Sequence, residues 1–193
     1  MVNIKKKIIL SFLAIPTLLG ALYFCRQKVM QYIYKKEMAS VYYSMKQYFK
    51  PEQFIKLPNT KELNQLLNSE NVTILITQKY CYPCKRLDEI IMERYGYVLR
   101  DNPNFHILDV SEPGFWGITK KVMEKNNIYY RGVPVILKIS NSKKMMYRGF
   151  GFKDGKYDIG LFDWNKPTDK SEPKCKGLIP LDKILIDEFD DKK

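Results

Sequence analysis

Two cysteines two residues apart, Cys81-Tyr82-Pro83-Cys84, stand between an apolar run at 72–77 and a stretch whose apolar residues Leu87, Ile90, Ile91 and Tyr95 follow helical spacing. This junction constrains the fold more than any other feature, because a strand has to end and a helix begin at the pair. A helix N-terminus presents unpaired backbone N–H groups and the positive end of the dipole, both favouring negative charge on Cys81. Cys81 is therefore expected to be the more acidic thiol and the attacking one, since the thiolate is the nucleophile. Cys84, about one turn further in, is placed to resolve the mixed disulfide. Pro83 suits the first turn, where its missing N–H would have had no helical partner.

The neighbouring segments read as alternating strands and helices. Residues 59–67 predict a short amphipathic helix with Asn59 as N-cap and Glu62 three positions on. A strand at 72–77, a helix at 82–95, a turn at Asn102-Pro103-Asn104, a strand at 105–110 and a helix at 115–126 follow. Gly132-Val133-Pro134 then leads into a hairpin with strands at 135–140 and 144–150 around a turn at 141–143. The order β-α-β-α-β-β points to an α/β fold with helices covering a mixed sheet, although order alone permits several such sheets.

Three of these pieces, the Cys81 to Cys84 motif with Lys85 behind it, Val133-Pro134, and the hairpin, occur in the order found in thioredoxins. From about residue 74 to 151 the chain resembles the thioredoxin superfamily. The resemblance implies a thioredoxin-like fold, a thiol–disulfide oxidoreductase without an organic cofactor, and a cis-proline at Pro134 facing the disulfide. It also implies that Pro134 holds a substrate backbone and that Val133 sets an apolar contact. Tyr80 and Tyr82 read as exposed aromatics beside the sulfur, with Pro83 next to them, either an apolar landing surface for a polypeptide or a rim that limits solvent access. Polypeptides with cysteines would be the substrates, and a membrane or soluble thiol protein the redox partner. The sixth position before the first cysteine, commonly an Asp in this family, is Leu75 here, and no His lies between the cysteines. The first departure puts rapid reductase turnover in question, and Pro83 leans toward a reducing or intermediate couple.

The formal charge of +12 resembles a nucleic-acid signal until it is divided along the chain. Residues 1–36 hold seven Lys or Arg and no Asp or Glu, which leaves 26 basic against 21 acidic residues for the remainder. The excess flanks a hydrophobic segment, and Lys143, Lys144 and Arg148 read as a solvated hairpin rim, so no nucleic-acid partner is expected.

That segment, residues 8–24 from Ile8 to Phe24, follows Lys5-Lys6-Lys7 and contains Pro16. As a helix it reaches about 25 Å, slightly short of a hydrocarbon core. It is expected to be an uncleaved anchor that places the thiol domain in the periplasm or another extracytoplasmic oxidising compartment. Two alternatives are a signal peptide cleaved near Ala21 and a buried core helix. Disulfides persist in such a compartment, yet Cys25 and Cys175 read as isolated thiols, or Cys25 as a link between two chains.

Residues 27–49 place Met30, Tyr34, Met38, Val41, Met45 and Tyr48 on one helical face. That face would pack on its own domain or the membrane surface, or form a homodimer. The expected organisation is a membrane segment at 1–25, an amphipathic linker helix at 26–56, the thioredoxin-like domain at 57–152, and an extension at 153–193 that packs on the domain or is partly disordered. Within the extension 152–176 shows no clear period, 181–189 reads as a final helix, and 160–164, from Gly160 to Trp164, reads as edge packing or a partner patch.

His106 lies on a predicted strand away from the cysteines, so a hydrogen-bonded strand histidine is expected rather than the base of a hydrolase. With Cys81 and Cys84 it would complete only three ligands where zinc wants four, so no metal site is expected. Copper handling by the thiol pair is the remaining ligand chemistry. A rival of another class is a binding or assembly protein that keeps the fold as a scaffold, with the cysteine pair secondary.

Overall fold

The apolar alternation that follows Glu70 becomes β1 (Asn71–Thr77), and every other element is laid on or beside it. In this computed structural model residues 2–129, 132–141, 143–153, 156–162 and 175–186 are described. For 2–19, 21, 150, 152, 153, 156, 162, 175 and 176 the description covers the backbone alone. The chain divides into two units, 1–37 and 38–193.

Within the larger unit β1 pairs parallel with β2 (Phe105–Asp109) and antiparallel with β3 (Val135–Ser140). A parallel pair needs a long crossover. It is supplied by α3 (Tyr82–Ile90), a π turn at Ile91–Tyr95 and α4 (Gly96–Leu99). After β2 comes α5 (Phe115–Lys125), which leads toward β3. Ser140 pairs with Lys143 in β4 (Lys143–Lys153), a two-residue hairpin in which Asn141 takes the positive φ that such turns require. The sheet order is β2-β1-β3-β4-β5-β6, where β5 is Lys156–Phe162 and β6 is Cys175–Pro180.

Helices cover both faces. Successive strand residues point to opposite sides, so Ile74, Ile76, Leu108 and Leu137 meet Leu63 and Leu67 of α2 (Thr60–Leu67) and Val122 and Met123 of α5. Leu75, Phe105, Ile107 and Ile136 meet Leu87, Ile90 and Ile91 on the other side, together with Tyr42, Met45 and Phe49 from the end of α1 (Val2–Tyr48). Gln53, in the 3-10 turn Pro51–Gln53, is buried there. Its Nε2 donates to the carbonyls of Leu99, Asn102 and Phe105, tying the turn to the crossover.

The structure is therefore a mixed α/β protein with a six-stranded mixed sheet flanked by helices, and the expected order β-α-β-α-β-β runs from β1 to β4. Several boundaries differ from expectation. The anticipated helix at 82–95 is interrupted by the π turn, and the chain continues helical to Leu99. Gly96 sits where a Cβ would stand 2.7 Å from the Tyr48 ring, which explains its small side chain. Asn59 caps α2 through Lys61 N at 3.0 Å, while Glu62 accepts from Lys56 N rather than completing a box with Asn59.

The segment 152–176, which reads as a functional loop or as partly disordered, is described in part: β4 runs on to Lys153, β5 pairs with β4, and β6 pairs with β5, while 154, 155 and 163–174 lie outside the described residues. Strand formation there is set by the neighbouring ladder more than by local propensity, so Gly151, Gly160 and Gly177 lie inside strands. Gly160 is buried and Leu161 packs against the core, as edge packing requires; Asp163 and Trp164 lie outside the described residues. The final helix is α6 (Leu181–Leu185), and 187–193 lie outside the described residues. Buried Lys138 donates from Nζ to the Ile184 carbonyl at 2.9 Å, satisfying one of the last α6 carbonyls.

The two N-terminal helices expected at 8–24 and 27–49 are one continuous α1. Its buried positions are Met38, Tyr42, Met45 and Phe49; Met30 and Tyr34 of the expected stripe are exposed, and Val41 and Tyr48 are half-buried. Spacings of four, three and four hold one face better than the expected set, and the residues 22–37 are exposed on all sides. Among the residues whose side chains are described no helix is long and apolar enough to cross a membrane; the side chains of 8–19 and 21, in the expected anchor, lie outside them.

Candidate functional site

β1 ends at Thr77, a turn follows at Lys79-Tyr80, and α3 starts at Tyr82, so Cys81 is the N-cap of α3. Its sulfur accepts from Cys84 N at 3.3 Å, the contact that an N-cap oxygen would otherwise make. Pro83 occupies the first turn without loss of a helical bond. Cys81 and Cys84 are joined by a disulfide with Cα atoms 5.2 Å apart. The two sulfurs differ in access: Cys81 is half-buried, and Cys84 is 0% exposed.

The Val133–Pro134 bond is cis and Pro134 is buried. The Val133 carbonyl oxygen lies 3.7 Å from Cys81 Sγ, while the Val133 side chain packs on the α2 and α5 side of the core. It is thus the backbone of Val133 that borders the sulfur. Tyr80 and Tyr82 flank the pair with 52% and 51% of their surface exposed. Pro83 is exposed beside them.

Two carboxylates that the sequence did not single out lie on the elements beside the pair, one at the end of β2 and one on α3. Asp109, at the end of β2, accepts from the Tyr42 and Ser111 hydroxyls and from Ser111 N at 2.9 Å, with Lys46 Nζ 4.0 Å away. Ser111 Oγ in turn accepts from Lys79 N at 2.7 Å, and Lys79 Nζ donates to Tyr43 and stands 5.1 Å from the Tyr80 ring centre. The end of α1 and the end of β2 therefore clamp the loop that presents Cys81. Burial and the Asp109 carboxylate push the Tyr42 hydroxyl far above its ordinary range, so it stays a donor.

Asp88 is the second. It follows Cys84 by four residues on α3, is 2% exposed, and accepts from Thr77 Oγ1 at 2.9 Å through Oδ2. Its Oδ1 has no hydrogen-bond partner among the described residues. Burial pushes the Asp88 carboxyl up to about 8, with the Thr77 bond opposing and the negative charges of Asp109 and Glu89 adding to the rise. A signal for Asp88 was present in the sequence: 84, 87, 88 and 91 form one helical face, and a carboxylate on such a face is costly unless it has a task.

His106 on β2 pairs with Ile74, three ladder positions before Thr77 and Asp109 and so about 10 Å back along the strand. The expected satisfied histidine is corrected: Nδ1 is buried without a partner among the described residues, and burial lowers the ring's pKa, keeping it neutral. Among the described residues no group of three or more His, Cys, Asp or Glu is arranged to hold a metal ion. Cys25 is a free, exposed thiol, and the Cys175 side chain lies outside the described residues. Comparisons of the chain with protein-family models, curated proteins and solved structures find no match.

Proposed function

We propose that the chain is a thioredoxin-like thiol–disulfide oxidoreductase that reduces, forms or exchanges disulfides in exported polypeptides through Cys81 and Cys84. The observation that supports this best is the asymmetry of the pair: a half-buried N-cap sulfur bonded to a fully buried one. In the reduced chain the Cys81 thiolate is stabilised by the Cys84 N–H and the helix N-terminus. It attacks one sulfur of a substrate disulfide, forming a mixed disulfide and expelling the other sulfur as a thiolate. Cys84 then attacks Cys81 Sγ, which closes the internal disulfide and releases the second substrate thiol. Val133 and Pro134 offer a backbone edge for the substrate strand, and Tyr80 and Tyr82 an apolar border.

The test is to trap the intermediate. The full chain carrying Cys25→Ala, Cys175→Ala and Cys84→Ser, incubated with a two-chain polypeptide linked by a disulfide, should accumulate a mixed disulfide at Cys81 that dithiothreitol releases. Cys81→Ser in the same Cys25→Ala, Cys175→Ala background should form none. Equal adducts with both variants, or none with Cys84→Ser, would contradict the reading and favour a scaffold that merely keeps the pair.

A further inference from the structure

A buried carboxyl group with an open oxygen, one helical turn beyond the buried sulfur, is a means of moving a proton. Resting on the redox reading of the Cys81–Cys84 pair, we infer that Asp88 takes the proton of the Cys84 thiol as the disulfide closes and returns it as the disulfide opens. Residues four apart on a helix are neighbours, with about 5–6 Å between Cβ atoms. Helical side chains tilt toward the N-terminus, so the Asp88 carboxyl leans back toward the turn that holds Cys84. Both side chains are withdrawn from water, at 2% and 0% exposure, so the proton of Cys84 needs an internal acceptor.

Asp109 offers the contrast that assigns the role. It has the Tyr42 and Ser111 hydroxyls, the Ser111 N–H and Lys46, which account for a structural carboxylate. Among the described residues Asp88 has the Thr77 hydroxyl as its one hydrogen-bond partner, and Oδ1 is left open. The charged groups around it are Asp109 from β2 and Glu89 on its own helix, with Lys85 and Arg86 drawn to Glu89 at 3.7 and 3.3 Å. Burial raises the Asp88 carboxyl to about 8, out of the carboxylate range and into the range where thiols titrate, so it can both take a proton from a thiol and return it.

The Cys84 S–H bond breaks and its proton passes to the Asp88 carboxylate. The thiolate's electron pair forms the Sγ–Sγ bond to Cys81, and the bond from Cys81 to the substrate sulfur breaks, expelling a substrate thiolate. The chain's dithiol is oxidised by two electrons and the substrate disulfide is reduced to two thiols.

The experiment uses the reduced full chain with Cys25→Ala and Cys175→Ala, mixed with 5,5′-dithiobis(2-nitrobenzoate) in a stopped-flow instrument across pH. The first coloured thiolate reports attack by Cys81, the second reports closure by Cys84. Asp88→Asn should leave the first phase unchanged and slow the second by about 10²-fold at neutral pH, the scale of general base catalysis. Thr77→Val removes the bond that holds the Asp88 pKa down, so the pH midpoint of the second phase should move upward with the first phase unmoved. This variant decides the matter if Asp88→Asn fails to fold. A second phase with unaltered rate and midpoint in these variants would overturn the role of Asp88. Absence of any first phase in the parent chain would instead overturn the redox reading itself.

Discussion

The two faces of the sheet bury the same kinds of apolar side chain and differ in the polar groups set among them. Against α2 and α5 the contacts are Leu63, Leu67, Val122 and Met123 on Ile74, Ile76, Leu108 and Leu137, and the buried Thr119 Oγ1 has no partner among the described residues. Against α3 and the end of α1 the apolar layer is as complete, yet it also encloses Asp88 with Thr77, Gln53 with three carbonyls, and Asp109 with Tyr42. The first face is joined mainly by apolar contacts, with Asn126 donating to Asn64 Oδ1 at 3.2 Å between its helices. The other encloses more deeply buried polar groups, Asp88 and Gln53, and includes α3, whose N-terminus holds the cysteine pair. On the proposed redox reading the chemistry is thus separated from the more apolar face.

This separation is broken at once if the thiols are dispensable. Cys81→Ala is expected to abolish turnover of a disulfide-linked polypeptide while its melting temperature matches that of the reduced parent chain; retained turnover would remove the functional face altogether. The next effect lies on the other side. Leu63→Ala, at a site with no exposure, should cost about 2–5 kcal/mol in urea unfolding. The reduction potential of the pair should stay at its parent value, and a shifted potential would show that the faces are not independent.

Asp88→Asn sharpens the comparison through pH. Folding raises the Asp88 carboxyl from 3.8 to about 8, so between these values the folded chain binds a proton that the unfolded chain has lost. This contribution to stability is complete below the lower value and is lost as pH rises to the upper one. Asparagine removes the decline. At about 1.4 kcal/mol per pKa unit, the variant should be more stable than the parent by about 2 kcal/mol or more at pH 9. Unfolding curves recorded across pH check this, and parallel curves for both chains would contradict it. The smallest effect is expected at Asn59→Ala, which loses the α2 cap for about 1 kcal/mol with no change in redox behaviour.

Where a structural cue is local, the sequence made it legible. Cys81 to Cys84 at a strand end, Asn59 before α2, and the turn at Asn141 each follow from residues within a few positions of one another. Strands β5 and β6 were hidden because their glycines, lysines and aspartates argue against strands until β4 offers a ladder. The stripe on α1 was misplaced for a related reason: periodicity gives a face but not where along the helix a partner begins, so Met30 and Tyr34 were read with Met38 and Met45. At the site, the thiols were visible as a motif. Asp88 belongs to no motif and only its helical face marks it, and Asp109 and Tyr42, 67 residues apart, meet only through the fold.

The central claim is that Cys81 and Cys84 form a working redox couple, and its most direct test is an equilibrium titration of the full chain in glutathione and dithiothreitol buffers, with alkylated Cys81 and Cys84 counted by mass. The account predicts reversible two-electron cycling of this pair at a potential between about −270 and −120 mV, the range of thioredoxin-fold couples. A pair that stays oxidised or reduced across that whole range, or that does not return when the buffer is reversed, would contradict it.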